Sequence, residues 1–322
     1  MAGAWCGDED DGITAGTVHV GYVHHSRPVN CRNNCDAMNL AIRHRLSAFS
    51  DAIGQVDDRA AFIAGELRCV PLRPIVSRAA RTRTSNAAAE WERLGGRLGY
   101  LRQHRLLGGG HVWIRHGTAD VFTVAEVLAR DEYAIPRDAH RLLPDRPRVL
   151  DLGANIGMFG IRALRDLAPS IITAVEADPY NAQVLRRNAA NVPMGTDWRV
   201  VEAFAAPIGD SSVEFAAGQF AESRSGAAAG HAVPTVDAFP LMDRADLVKI
   251  DIEGAEWPIL EDPRLATTTA RVLVLEYHRW GCEPEDDPST RCHHLLHRAG
   301  FEWRDSGAPG DDFGTLWAWR RP

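Results

Sequence analysis

From about residue 146 onward, short β-rich runs alternate with helical ones: RVLDLGA, SIITAVEA, WRVVEAFA, ADLVKIDI and RVLVLEYH. Four of the five end near a carboxylate. Such alternation predicts an α/β domain with a parallel sheet and helices on both faces. The last stretch departs from the pattern. Gly300 stops a helix, and FEWRDS and FGTLWAWRR face each other across GAPGDD, so an antiparallel hairpin is expected to end the sheet. The chain has 322 residues, 45% hydrophobic and 25% charged, enough to bury a large core, which excludes wholesale disorder, collagen and coiled coil.

Upstream, residues 1–35 lack sustained periodicity and read as a loosely ordered leader. Residues 36–106 read as a helical segment, with Ile42, Leu46, Phe49, Ile53 and Val56, then Trp91, Leu94, Leu98 and Leu101, recurring every three or four positions. Gly108, Gly109 and Gly110 are expected to break that helix. Residues 107–145 read as a connector holding a strand, a turn at Gly117 and a short helix, and 146–322 as the main domain. Within it, the small, Gly-rich stretch 216–234 has the composition of a mobile loop.

The formal net charge of −7 offers no field to draw in a phosphate backbone, so nucleic acid is not an expected partner. No apolar run approaches the roughly 20 residues of a membrane span, and the N-terminus opens MAGAWCGDEDD, so a soluble, cytoplasmic chain is expected, with self-association left open. The six cysteines are too dilute for a disulfide scaffold. Zinc sets built from His24, His25, Cys31 and Cys35, or from Cys282, Cys292, His293 and His294, lack paired knuckles at ligand spacing.

The most informative stretch is VLDLGANIGMFG, a strand that runs into Asp151, Gly153, Ala154, Asn155 and Gly157 and then a helix. Gly153 and Gly157 allow close backbone approach to a ligand, and the helix N-terminus offers unpaired N–H groups. About 20 residues on, Glu176 ends the second strand, where an acid takes both hydroxyls of a ribose. The position two after Gly153 is Asn155, so the GxGxxG of a dinucleotide fold is missing; Lys249 is the only lysine, so a P-loop is missing too. A turn with so little to hold a pyrophosphate suits S-adenosylmethionine, which carries none.

The runs VLDLGANIGMFG, VEADPYNAQVLRRNAAN, VPTVDAF, ADLVKIDIEGAEWPIL and VLVLEYH, with the upstream VWIRHGTADVFTVAEVLARDEY, closely resemble the FkbM family of S-adenosylmethionine-dependent methyltransferases over roughly residues 111–280. The resemblance implies a class I, Rossmann-like sheet of seven strands, mostly parallel, with its C-terminal hairpin antiparallel and the N-terminal helical segment attached. It also implies O-methylation of a small secondary metabolite or its sugar, as in natural product biosynthesis. Carried over by position, Asp151, Gly153, Ala154, Asn155 and Gly157 would line the methionine end of the cofactor, Glu176 would hold its ribose, and Ala177, Asp178 and Ala205 would flank the adenine. Asn181, Leu185 and Asn188 also fit the family pattern but read more simply as a capped amphipathic helix.

Ligands of open parallel sheets sit beyond the C-terminal strand ends, which brings in Asp251, Glu253, Glu276 and His278. His278 is the first choice of general base, its ordinary pKa lying near about 6.5. Asp251 and Glu276 together also form a candidate Mg²⁺ pair that would polarise an acceptor hydroxyl. Lys249, inside the fourth strand, is expected to pair with Asp151 or another acid. Two other readings compete: a nucleic-acid methyltransferase, disfavoured by the charge and the single lysine, and an inactive binding protein on the same fold.

Overall fold

The computed structural model describes residues 46–69, 100–216, 224–225, 231–307 and 310–321. Residues 46–53 form helix α1 and Arg59–Cys69 form α2, followed by the antiparallel strands β1 (Tyr100–Arg105) and β2 (His111–His116). The predicted helical segment is therefore corrected at its end: Leu101 lies in β1, opposite Arg115. The sequence of β1, YLRQHR, holds one aliphatic residue and carries no alternation to announce a strand. Gly108–Gly110, all at positive φ, turn a hairpin instead of ending a helix. On α1 the buried positions are Ala48 and Ala52, whereas Leu46 is 62% exposed. Ile42, Trp91, Leu94, Leu98, the 1–35 leader and the first candidate zinc set lie outside the described residues.

Gly117, at positive φ, then leads into α3 (Asp120–Val124), a π-turn over Ala125–Ala129 and α4 (Arg137–His140). The main domain follows as β3 (Arg148–Leu152), α5 (Met158–Leu167), β4 (Ile171–Glu176), α6 (Pro179–Ala189), β5 (Asp197–Glu202), β6 (Phe204–Ala206), β7 (Ser212–Ala216), β8 (Arg224–Ser225), β9 (His231–Asp237), α7 (Ala238–Met242), β10 (Leu247–Ile250), α8 (Glu256–Glu261), β11 (Val272–His278), α9 (Pro288–Arg298), β12 (Glu302–Asp305) and β13 (Phe313–Trp319). Seven strands make one sheet in the order β12-β13-β11-β10-β3-β4-β5, with β13 antiparallel to both its neighbours. That order, reversing at β3 and closed by an antiparallel last strand, is the class I methyltransferase sheet.

The stretch 216–234, expected as a loop, is also corrected. Its described residues belong to β7, β8 and β9, which with β6 make a separate sheet in the order β6-β9-β7-β8. Backbone pairing holds these strands, and their small side chains leave little pattern to read. Residues 217–223 and 226–230 of that stretch lie outside the described residues.

Alternation along the main strands splits the core in two. Val149, Ile172, Ala174, Leu247, Val272 and Val274 pack on one face with α5, α6 and the upstream hairpin. Leu150, Leu152, Val175, Val248, Ile250 and Leu273 pack on the other with α7, α8 and α9. Fully burying a side chain of this size contributes about 1.5–3 kcal/mol. The same period of two puts Asp151, Glu176, Lys249, Glu276 and His278 on the first face, toward the C-terminal strand ends.

Candidate active site

The turn after β3 is held by its own protein. The N–H groups of Gly153 and Ala154 both donate to the Val175 carbonyl at 3.0 Å, and that of Gly157 donates to Ala154. At Gly153, φ is +78°, and a Cβ would stand 1.7 Å from the Asp251 carbonyl oxygen. Glycine is required there by the adjoining strand end, a closer constraint than any ligand. At Gly157 a Cβ would meet Leu185 at 2.7 Å, so packing fixes the second glycine. Asn155 takes a positive φ of 51°, uncommon for a residue with a side chain. Its side-chain oxygen is buried with no hydrogen-bond partner.

Glu176 joins this turn to the next strand end. Its carboxylate accepts the Asn155 N–H at 2.6 Å and the Asp178 N–H at 2.8 Å. Burial, reinforced by the Asp178 charge, pushes its pKa up to about 7 against those two donors. Each carboxylate oxygen keeps a lone pair for a further donor. Asp178, placed beside the adenine by the family pattern, is fully buried and caps α6 by accepting from the N–H of Tyr180 and Asn181. Ala177 is partly exposed beside it. Ala205 is buried in β6, opposite Val236.

Asn181 and Asn188 do more than line a capped helix. The Asn188 amide accepts the Trp113 N–H at 2.6 Å and donates to the carbonyls of Trp113 and Ile156, tying β2 to the turn after β3. Asn181 accepts from Arg115, whose guanidinium also grips buried Asp120.

Beneath the turn, Lys249 meets its expected partner. Its ammonium lies 3.3 Å from Asp151, 3.1 Å from Asp251, and donates to the Gly153 carbonyl at 2.9 Å. Burial works against the ammonium, but the charges of Asp251 and Asp151 outweigh it and raise its pKa. Burial also raises Asp151, against the pull of Lys249, and its two oxygens otherwise accept no hydrogen bond.

At the neighbouring strand ends, Asp251 and Glu276 converge on the hydroxyl of Tyr133, at 3.2 and 3.0 Å. Tyr133, from the connector, is a residue the strand-end reasoning missed; its one signal is the closing EY of the family-like upstream run. Burial and the Asp251 charge raise Glu276 well above the ordinary carboxylate range.

His278, the expected base, is enclosed by acids. Glu256, fully buried, accepts the His278 backbone N–H at 2.8 Å and lies 3.1 Å from Nδ1. Nε2 lies 3.7 Å from Glu276 and 3.8 Å from Glu253. Burial disfavours the charged ring, yet the hydrogen bond to Glu256 and the surrounding acids carry its pKa up to about 9. At neutral pH this imidazole holds its proton and balances acids instead of accepting a proton. Trp257 donates from Nε1 to the His278 carbonyl at 3.0 Å, fixing the strand end.

Ligand atoms of Asp251, Glu276 and His278 lie within 4.8 Å of one another, close enough to share one ion. The set does not fit Mg²⁺. Both carboxylates share the one Tyr133 hydroxyl, Asp251 already has the Lys249 ammonium, and the third ligand is an imidazole nitrogen where Mg²⁺ prefers oxygen. Cys282, Cys292, His293 and His294 do not come together; His293 pairs with Asp305 at 2.7 Å. No helix among the described residues is long and apolar enough to cross a membrane.

The family model described as Methyltransferase FkbM domain matches residues 151–302. The match covers just under half of the chain. It spans every site residue above except those of the connector, Tyr133 among them. Solved structures similar to the chain include Methyltransferase FkbM from Methylobacillus flagellatus KT, 16% identical over 62% of this chain and 54% of that one, TM-score 0.37. Precorrin-6y C5,15-methyltransferase from Geobacter metallireducens GS-15 is 18% identical over 57% and 85%, TM-score 0.35. M. jannaschii TYW2 in complex with AdoMet is 13% identical over 68% and 84%, TM-score 0.33. No curated protein matches the sequence.

Proposed function

We propose that the FkbM domain uses S-adenosylmethionine to methylate a hydroxyl group of a small secondary metabolite or its sugar. The observation that carries this reading is the juncture of Glu176 and Asn155, the strand-end acid clasped to the turn, on the same sheet face as Glu276. Asn155 brings an unpartnered amide oxygen, and Asp151 brings a carboxylate whose one close partner is the Lys249 ammonium, acceptors suited to a cofactor with an amino group and hydroxyls. In this reading Asp151, Gly153, Ala154, Asn155 and Gly157 hold its methionine end, Glu176 its ribose, and Ala177, Asp178 and Ala205 the adenine side. When bound, the cofactor supplies a methyl group on a positively charged sulfur.

The protein's task is then to align the acceptor oxygen and remove its proton. With the cofactor in place, Asp251 would accept the proton that the acceptor hydroxyl gives up on methylation, its negative charge offsetting the positive charge of the donor so that the total is conserved. Alignment contributes up to roughly 7–11 kcal/mol, and proton removal about 10² to 10⁴ in rate. Asp251 takes the base role from His278 because its side chain is 22% exposed to an incoming acceptor while His278 is already protonated. Mg²⁺ has no part in this reading.

The test is a screen of hydroxylated metabolites with methyl-labelled cofactor, run with and without EDTA. Label on oxygen at equal rates in both is expected. Label on amines alone overturns the oxygen assignment, and loss of rate in chelator restores the metal.

A further inference from the structure

Tyr133 stands where two acids meet. Its hydroxyl is within hydrogen-bond reach of Asp251 Oδ2 and Glu276 Oε2, and its ring lies edge-on to Phe159 at 5.5 Å between centroids. A phenol has one hydrogen and two lone pairs. Were both carboxylates anions, the single hydrogen would be split between them, and at least one anion would face the phenol's lone pairs. The arrangement with every position matched has one protonated carboxyl donating to the phenol oxygen, which donates on to the other carboxylate. Two half-buried acids with ligand oxygens within 4.8 Å of each other also resist ionising together.

Their neighbours decide which one holds the proton. Asp251 has the Lys249 ammonium at 3.1 Å. Among the described residues the nearest cation to Glu276 is His278, at 3.7 Å and divided among Glu276, Glu253 and Glu256. From the connector, Glu132 adds negative charge toward both acids, and burial with the Glu132 charge lifts Glu126 to about 7.

We propose that Tyr133 is a positioning residue through which Asp251 and Glu276 share a single proton, the proton resting on Glu276 and the charge on Asp251. The resting arrangement is a property of the free protein; only its use in turnover rests on the methyl-transfer reading. There, the anionic Asp251 takes the acceptor's proton, the pair briefly holds two, and one leaves to solvent before the next cycle.

Infrared spectra of the free protein at neutral pH test this without any substrate. Wild type should show, beyond the contributions of Glu126 and Glu176, a protonated-carboxyl band that is absent in Glu276→Gln and shifted toward the free-acid position in Tyr133→Phe. Once an acceptor is found, Tyr133→Phe should lower kcat with KM for the cofactor unchanged. Absence of the band in wild type, its survival in Glu276→Gln, or an unmoved band in Tyr133→Phe would overturn the proposal. Failure to find an acceptor leaves the infrared result standing, so the two claims fail separately.

Discussion

The Glu176 carboxylate accepts the Asn155 N–H at 2.6 Å, so the end of β4 and the turn after β3 move as one piece. Burial carries its pKa to about 7, and the ionised form is the better acceptor for ribose hydroxyls. Cofactor affinity should therefore rise with pH from about 6 and level off above about 8, falling at most about tenfold per unit on the acid side. Titration calorimetry across that range checks it. A flat profile in wild type, or the same slope in Glu176→Gln, contradicts the assignment.

Gly153→Ala places a methyl group 1.7 Å from the Asp251 carbonyl at a φ of +78°. The strand ends must separate or the turn must refold. Destabilisation above about 3 kcal/mol is expected, read as a lowered denaturation midpoint. A folded variant of wild-type stability would show that β3 and β10 do not meet as described.

Much of this arrangement was legible beforehand, and the reasons are local. Alternating apolar runs announced the sheet, GAPGDD announced its closing hairpin, and a lone lysine inside a strand announced an acid partner. What stayed hidden depended on distance in the chain or on weak patterning. Tyr133 reaches Asp251 across more than a hundred residues, and only the closing EY of the upstream run marks it. The strand β1 buries His104 where an aliphatic residue would have signalled a strand. His278 reads as an ordinary imidazole until Glu253 and Glu256 are folded against it.

Asn188 links β2, the turn and α6 through three hydrogen bonds. Asn188→Ala leaves the Trp113 and Ile156 groups without partners in the interior, at a cost of about 2–4 kcal/mol. Thermal unfolding should show the loss, with weakened cofactor binding beside it. A change within about 0.5 kcal/mol would mean the upstream hairpin is not braced this way.

His278 makes stability depend on pH on the alkaline side. Its pKa rises from 6.5 to about 9 on folding, so its contribution is whole below 6.5 and is lost as pH climbs through about 9. The loss amounts to roughly 3 kcal/mol at most. Denaturation midpoints of wild type should fall across that window while those of His278→Gln stay level. Parallel curves for the two proteins would remove the acid cage around the ring.

Calorimetric titration of the free protein with S-adenosylmethionine tests the central claim most directly, with Glu176→Ala alongside. Single-site binding in wild type, lost in the variant while its fold is retained, is the predicted result. No heat in wild type, or undiminished binding without the Glu176 carboxylate, would contradict it.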